Sequence, residues 1–397
     1  MTLIAPDLPV LLGGRPLVDE PMPLVRPYLP DQAALVAKLA AVLETGMLTN
    51  SRRVRELETA VAARLGVEHV VAVASCTSGL ALVLQALGAR GPVLLPSFTF
   101  SASAHAVVWA GGQPRFADVL EDSLTLDPAD AERCLDGAVA MTATHVYGTP
   151  CEVDRLEELS RSAGIPLVFD AAHALGSERR GVPIGGFGAA EVFSLSPTKV
   201  TVAGEGGLVA TRDADLAEAI RLGRDYGNPG NYDCRFPGLN ARMSELHATI
   251  ALHCLAHLNA SLVRRHELVQ RFWKALPPRN GVRGPSLGEG DVSTYKDLTV
   301  VVDQEQTGLS AKELGRALAA EGIDSRHYYD PPIHRQHAYR DLPSRPLPVT
   351  DRVAGQVLSP PLWSQMTDGQ VEMVARSVDR ILAHAGRVRS ALAREAA

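Results

Sequence analysis

Residues 167–176 read Leu-Val-Phe-Asp-Ala-Ala-His-Ala-Leu-Gly, and residues 193–200 read Phe-Ser-Leu-Ser-Pro-Thr-Lys-Val. Each segment belongs to a short apolar run that continues into polar or small residues. Apolar runs without alternation predict strands buried on both faces, which is typical of a parallel sheet covered by helices. Because functional groups collect at the carboxyl ends of such strands, Asp170 and Lys199 become candidate site residues.

Similar runs alternate with helical patterns through the first half of the chain. The strand candidates are Val70–Ala74, Val93–Leu95, Ala138–Thr142, Leu167–Phe169, Val192–Leu195 and Gly207–Thr211. Helical spacing of apolar residues predicts helices over Gln32–Leu43, Arg53–Leu65 and Ser78–Leu87. This alternation predicts an α/β fold with a largely parallel sheet.

The alternation of predicted strands and helices ends near residue 240. Met243–Leu258 predicts one long helix that bridges two domains, and residues from Ala385 onward are expected to fray. Between them we expect a strand and two helices, over Leu298–Val302, Ser310–Glu321 and Val371–Ala383. The predicted organisation is an N-terminal arm (1–30), a large domain (31–255) and a smaller C-terminal α+β domain (256–397).

Composition excludes several classes of protein. The 397 residues carry 39 Lys+Arg and 45 Asp+Glu, a formal net charge of −6, and only 5% are aromatic. This balance argues against a nucleic-acid partner. No apolar run reaches the roughly 18 residues that a membrane-spanning helix needs, and Met1–Pro9 lacks the pattern of a secretory signal. With five widely spaced cysteines and no C-x-x-C, we expect a cytoplasmic protein without a metal site or a membrane partner.

A third candidate segment lies at the start of the helix predicted over Ser78–Leu87. Residues 75–79 read Ser-Cys-Thr-Ser-Gly, and hydroxyls with free backbone N–H groups at a helix N-terminus suit a phosphate. Simpler alternatives stay open for each segment: an ordinary N-cap here, a helix-capping role for Asp170, and a solvated loop lysine for Lys199.

The order of the three features is more informative than any one of them. Pyridoxal phosphate (PLP) requires a helix N-terminus for its phosphate, a carboxylate that keeps its pyridine nitrogen protonated, and a lysine amine for its aldehyde. The segment 75–79, Asp170 and Lys199 supply these groups in turn. The sequence therefore predicts a PLP site.

Five segments then carry a resemblance to a known family. They are Pro96–Phe100, Phe169–Gly176, Phe193–Val200, Gly204–Gly207 and Gly238–Glu245. From about Arg26 to Ile381 the chain resembles the sugar aminotransferases of the DegT/DnrJ/EryC1/StrS family. The resemblance implies the fold-type I (aspartate aminotransferase-like) architecture, with a PLP-binding large domain and a smaller C-terminal domain.

The resemblance also implies roles for individual residues. Lys199 matches the Schiff-base lysine, and Asp170 the carboxylate on the pyridine nitrogen. Phe100 matches the aromatic residue that stacks on the cofactor, and His173 a residue near the phenolic oxygen. The phosphate-binding positions correspond to Thr77, Ser78 and Ser194.

Further positions are implied at the substrate and at a second subunit. Asn240 matches a residue that reaches the phosphate of the neighbouring subunit, which implies a homodimer with shared active sites. Cys76 departs from the glycine of many relatives, but it leaves the hydroxyls of Thr77 and Ser78 in place. Segments that line the family's substrate cleft contain Tyr226, Arg242, His327, Tyr328 and His334.

The implied activity is amino transfer from glutamate or glutamine to a keto sugar nucleotide. Residues 224–233 and 238–245 are most similar to aminotransferases of dTDP-4-keto-6-deoxyglucose, which implies amination at C4. A C3-keto sugar nucleotide and a keto-inositol stay open as substrates. An alternative of another class is a non-catalytic relative that binds a sugar nucleotide, although the presence of Lys199 favours transamination.

Overall fold

The computed structural model describes residues 8–395. Its strands are β1 (His69–Val73), β2 (Pro92–Pro96), β3 (Gln113–Ala117), β4 (Ala140–Thr144), β5 (Leu167–Asp170), β6 (Glu178–Arg179), β7 (Val182–Pro183), β8 (Ala190–Ser194), β9 (Gly207–Thr211), β10 (Val282–Arg283), β11 (Val300–Val302) and β12 (Val357–Leu358). The first seven residues of the predicted arm and the last two of the C-terminal stretch lie outside the described residues.

Helices connect and cover these strands. They are α1 (Gln32–Thr45), α2 (Arg52–Leu65), α3 (Cys76–Ala86), α4 (Ser101–Trp109), α5 (Pro128–Arg133), α6 (Val153–Ala163), α7 (Ala214–Gly223), α8 (Glu245–Leu255), α9 (Leu258–Ala275), α10 (Gln304–Thr307), α11 (Ala311–Ala320), α12 (Pro348–Ala354), α13 (Asp368–Ala383) and α14 (Ala385–Glu395). Polar N-caps start several of them, such as Ser310 before α11 and Thr367 before α13, both in capping boxes.

The central sheet has seven strands in the order β1-β9-β8-β5-β4-β2-β3. Strand β2 pairs in parallel with β3 and β4, β4 with β5, and β5 with β8. Strand β9 runs antiparallel to both of its neighbours, β1 and β8. The predicted α/β class with a mostly parallel sheet is confirmed.

Both faces of this sheet are buried, as the continuous apolar runs predict. In β1, Val71 and Val73 pack in the core that contains α3, whereas Val70 and Ala72 pack on the other face with α2. Alternate residues of a strand point to opposite faces, so the residues of one short strand are buried in two hydrophobic cores. Because β2, β3, β4, β5 and β8 run parallel, their carboxyl ends lie at one edge of the sheet.

A three-stranded antiparallel sheet, β10-β11-β12, lies in the C-terminal part of the chain. Residues of α9, α11 and α13, including Phe272, Leu314 and Val378, share one hydrophobic core with it. Val18 and Met22 from the N-terminal arm are buried in this same core. The arm therefore packs against the C-terminal part, while the predicted boundaries at residues 30 and 255 stay predictions.

The helix predicted over Met243–Leu258 is present as α8, but it is shorter than predicted. Helix α8 ends at Leu255, and α9 begins at Leu258 after a 58° bend. The reason is packing, because α8 contacts α1 and α2 beside the large sheet while α9 contacts α13. Within residues 8–395 no single helix is long and apolar enough to cross a membrane, and only this bent pair reaches that length together.

The expected fraying after Ala385 was wrong for the described residues. Helix α14 continues to Glu395, with Val388, Ala391 and Leu392 buried. Their spacing of three and four residues places them on one face of the helix. Val388 and Leu392 belong to the C-terminal hydrophobic core, which holds the helix in place.

Candidate active site

A cavity of about 380 Å³ opens at the carboxyl ends of the central strands. Strand β5 ends at Asp170, β8 ends at Ser194, and α3 begins at Cys76 beside them. The cavity brings together several residues predicted from the sequence, namely Thr77, Phe100, Asp170, His173, Ser194, Lys199 and Tyr328. These side chains come from distant parts of the chain but line a single space.

Lys199 lies in the loop between β8 and β9 and is half-buried. Removal from bulk water lowers the pKa of Lys199 to about 8, and the nearby charge of Lys296 lowers it further, against the opposing effect of Asp297, Cys76 and Asp170. A lysine that loses its proton near pH 8 is a better nucleophile at neutral pH than an ordinary lysine. This location does not suit the alternative of a solvated loop lysine.

Asp170 is buried at the end of β5. Its Oδ2 accepts a hydrogen bond from the Ser103 hydroxyl at 2.6 Å, and its Oδ1 accepts one from the backbone N–H of Ala172 at 3.1 Å. The chain continues into a turn after Asp170 and not into a helix, so a helix-capping role does not explain this side chain. The Cys76 thiol also donates to Oδ1, at 3.9 Å, so Oδ2 is the oxygen that retains a lone pair for a further donor.

The N-terminus of α3 meets the same cavity. Ser75 and Ser78 form a capping box, and the Ser78 hydroxyl donates to the Ser75 carbonyl at 2.8 Å. The Thr77 hydroxyl has no hydrogen-bond partner among the described residues and lines the cavity. A Cβ at Gly207 would lie 2.5 Å from the backbone nitrogen of Cys76, so only glycine allows β9 to approach the start of α3 this closely.

His173 and Phe100 form further parts of the lining. The Nδ1 atom of His173 accepts a hydrogen bond from the backbone N–H of Tyr147 at 3.1 Å, which places the ring proton on Nε2. Burial, with the charges of Lys199 and Lys296, holds the pKa of His173 well below its usual value, so the imidazole is neutral. Phe100 remains 59% exposed at the cavity, which leaves a ring face for a planar ligand.

Two predicted histidines lie away from this cavity. His334 is buried between the Ser97 hydroxyl, 2.7 Å from its Nδ1, and the Asp351 carboxylate, 3.0 Å from its Nε2. His327 packs against α11, and its Nδ1 donates to the carbonyl of Val357 at 3.0 Å. The structure therefore shows both rings in contacts with other elements, and neither lines the cavity.

Tyr226, Asn240 and Arg242 form a separate surface cluster. The Arg242 guanidinium donates to Asp225 and to the Oδ1 atom of Asn240, the latter at 3.0 Å, and lies 5.3 Å from the centre of the Tyr226 ring. The backbone at Arg242 bridges to Val73 of β1, near the start of α3. Their predicted roles in substrate binding and in a contact with a second subunit stay predictions.

Lys296 and Tyr329 are among the lining residues that were not predicted from the sequence. Lys296 is buried, and its Nζ donates to Asp297 Oδ1 at 2.8 Å. Tyr329 follows Tyr328 and packs beside Phe100, with 6.3 Å between ring centres. One sequence signal could have identified Lys296. It forms a Lys-Asp pair directly before the apolar run Leu298–Val302, and charged side chains next to a buried strand are rarely buried unless they are paired.

These residues fit PLP. The backbone N–H groups at the start of α3 and the hydroxyls of Thr77 and Ser194 suit its phosphate. Asp170 is a buried acceptor for a protonated pyridine nitrogen, and the amine of Lys199 suits the aldehyde. The exposed face of Phe100 suits the flat ring.

Comparison with known proteins agrees with this chemistry. The model of the DegT/DnrJ/EryC1/StrS aminotransferase family matches residues 31–379. The spore coat polysaccharide biosynthesis protein SpsC of Bacillus subtilis (strain 168) is 29% identical over 381 residues, which cover 89% of this chain and 97% of SpsC.

Solved structures give the same result. DesI, determined in the presence of its TDP-sugar product, is 35% identical with a TM-score of 0.92 and covers 99% of this chain and 100% of its own. DesV of S. venezuelae, determined in complex with a ketimine intermediate, is 31% identical with a TM-score of 0.85 and covers 91% and 99%. The chain therefore belongs to the DegT/DnrJ/EryC1/StrS aminotransferase family, and it is a fold-type I, PLP-dependent sugar aminotransferase.

Proposed function

We propose that this enzyme moves an amino group from glutamate, or glutamine, to C4 of dTDP-4-keto-6-deoxyglucose. The observation that carries the proposal is one cavity that holds Lys199, with its lowered pKa, and the buried carboxylate of Asp170. The substrate is supported by the similarity to DesI, whose structure contains a TDP-sugar product.

Each residue has a defined task in this proposal. When bound, PLP supplies the aldehyde that exchanges amino groups and the ring that withdraws electrons from the reacting carbon. The neutral amine of Lys199 takes the proton from Cα of the amino donor and later returns a proton to the sugar carbon. Asp170 accepts a hydrogen bond from the ring nitrogen, and its contact with Ser103 keeps the carboxylate oriented.

A panel of ketones tests the substrate. The purified enzyme is given glutamate with a 4-keto sugar nucleotide, a 3-keto sugar nucleotide or a keto-inositol, and the release of 2-oxoglutarate is measured. We expect the 4-keto sugar nucleotide to react with the largest kcat/KM. A larger value for either of the other two ketones would replace the proposed substrate.

A second arm of the same experiment separates an enzyme from a non-catalytic relative. The wild-type protein should show a visible cofactor band that glutamate converts to that of pyridoxamine phosphate, and Lys199→Ala should not complete this conversion. A colourless protein that PLP cannot reconstitute would instead support the binding protein.

We also propose a cytoplasmic homodimer with shared active sites. The support is the exposed cluster of Tyr226, Asn240 and Arg242 close to the phosphate end of the cavity, together with the 69% exposure of Trp109 on α4. Mixing inactive Lys199→Ala with Asn240→Asp tests this, because a mixed dimer would contain one site with both native residues. Activity should reappear on mixing, and no recovery in verified mixed dimers would contradict shared sites.

A further inference from the structure

Lys296 is a second lysine in the cavity with no role in the chemistry described above. Its side chain is 6% exposed, its Nζ donates to Asp297 Oδ1 at 2.8 Å, and it lies 5.2 Å from the centre of the Tyr328 ring. An ammonium group has three N–H donors, and the contact with Asp297 uses one of them. The remaining donors suit an anionic or polar ligand in the cavity.

The backbone around Lys296 is held in a specific conformation. Tyr295 has φ +44°, a conformation that bulky residues rarely adopt and that persists where surrounding contacts impose it. The N–H of Lys296 donates to the Tyr147 carbonyl at 3.0 Å. The Arg265 guanidinium donates to the carbonyls of Tyr295 and Lys296 at 2.9 and 2.7 Å. These contacts fix the lysine at the cavity wall.

The charges at the cavity narrow the choice of ligand. Among the described residues that line it, the lysines are Lys199 and Lys296, and no arginine is present. Asp170 and Glu205 line the same space and repel anions. Lys199 is committed to the aldehyde and to proton transfer, so Lys296 is the available cation for a substrate anion.

We propose that Lys296 binds the α-carboxylate of the amino donor. This inference rests on the proposed function, in which glutamate or glutamine enters the cavity, and both carry that carboxylate. Lys296 and Lys199 also line one smaller recess together with His173. The α-carboxylate is attached directly to the Cα whose proton Lys199 removes, whereas the diphosphate of a sugar nucleotide is separated from C4 by the sugar ring. Proximity of the two lysines therefore favours the carboxylate over the diphosphate.

The two half-reactions test this role separately. Glutamate alone, or the amino sugar nucleotide alone, is titrated into the PLP-loaded holoenzyme, and the visible cofactor band is followed. For Lys296→Met we expect the half-saturating glutamate concentration to rise about 10- to 100-fold, as for loss of a charged hydrogen bond. The half-saturating amino sugar concentration should change little, and Lys296→Arg should recover part of the glutamate affinity.

Lys274→Met is the matched control, because Lys274 is an exposed lysine on α9. It should leave both titrations unchanged. Equal losses in the two titrations of Lys296→Met, or no loss in either, would overturn the proposal. A loss confined to the amino sugar nucleotide would assign Lys296 to the diphosphate and also overturn it.

The wild-type enzyme provides a measurement that does not depend on the folding of a variant. Isoglutamine has an amide in place of the α-carboxylate of glutamate. We expect its half-saturating concentration in the same titration to be at least about tenfold higher than that of glutamate. Equal half-saturating concentrations of isoglutamine and glutamate would overturn the role of Lys296 while leaving the proposed function intact. A wild type whose cofactor band responds to no amino acid would contradict the proposed function itself.

Discussion

The two lysine-bearing segments of the cavity are built in opposite ways. The Lys199 loop is held by local contacts, such as the Lys199 N–H to the Ser196 carbonyl at 3.0 Å. The Lys296 segment is held by distant residues, among them Arg265 on α9. Lys199 is half-buried, whereas Lys296 is 6% exposed.

This difference matches two different tasks. A lysine that forms and breaks bonds needs room to move its Nζ between partners, and a loop at the edge of the sheet provides it. A lysine that only recognises charge benefits from fixed geometry, because less side-chain entropy is lost when the ligand binds. The comparison therefore predicts that changes at Lys199 affect chemistry, and that changes around Lys296 affect affinity and folding.

The largest effect is expected for Lys199→Ala. Loss of the positioned base should lower the turnover rate by about 10²–10⁴-fold, because the other amine that lines the described cavity, that of Lys296, is paired with Asp297. The variant should still bind pyridoxamine phosphate, which needs no lysine bond, and this is measured by absorbance after gel filtration. A wild-type rate in Lys199→Ala would contradict the assignment.

Asp170→Asn should have the next largest effect. An amide in place of the carboxylate no longer favours a protonated ring nitrogen, so the rate should fall about 10²–10³-fold. In the variant the amide oxygen can accept from the Ala172 N–H, and the Ser103 hydroxyl, which can accept as well as donate, can face the amide NH2. Cofactor binding and the melting temperature should therefore change little. Unchanged steady-state kinetics would refute the role of Asp170.

Arg265→Met tests whether the Lys296 segment contributes to the stability of the fold. It removes the donor to the half-buried carbonyl of Tyr295 and to the buried carbonyl of Lys296, and we expect a loss of about 1–3 kcal/mol in the free energy of unfolding. Arg271→Met is the control, because its ion pairs are exposed and should contribute less than about 1 kcal/mol. Equal losses in urea titrations of the two variants would contradict a fixed Lys296 segment.

The smallest effect is a pH dependence of cofactor uptake by the apoprotein. The pKa of Lys199 is lowered to about 8, so its amine is protonated below that pH. The rate of reconstitution should rise about tenfold per pH unit while the protonated amine dominates, and then level off above the pKa. In Lys296→Met the midpoint should move upward, since a neighbouring positive charge is removed. A flat profile, or a midpoint that stays in place, would contradict the coupling of the two lysines.

The strands and site residues that could be predicted are those whose pattern lies within a few consecutive residues. Buried strands such as β5 and β8 are rich in apolar residues, and Asp170 and Lys199 lie at or shortly after their ends. Strand β3 was not predicted, because its Gln-Pro-Arg start at Gln113 is polar and it lies at the sheet edge, where burial does not demand an apolar run.

Long-range contacts explain what could not be predicted. Lys296 reaches the cavity because residues 293–297 pack against the turn that contains His173, where the Thr294 hydroxyl donates to the His173 carbonyl at 2.6 Å. Similarly, His334 was selected because its segment resembles one that lines the family's substrate cleft, yet its partner Ser97 lies 237 positions earlier in the chain. Neither arrangement has a signature in the local sequence.

The most direct test of the central claim follows the nitrogen atom. The enzyme is incubated with ¹⁵N-glutamate and dTDP-4-keto-6-deoxyglucose, and the sugar product is examined by NMR. The account predicts ¹⁵N bonded to C4 of the sugar, with 2-oxoglutarate formed in equal amount and with no product from Lys199→Ala. A sugar without ¹⁵N, or ¹⁵N transfer that persists in Lys199→Ala, would contradict it.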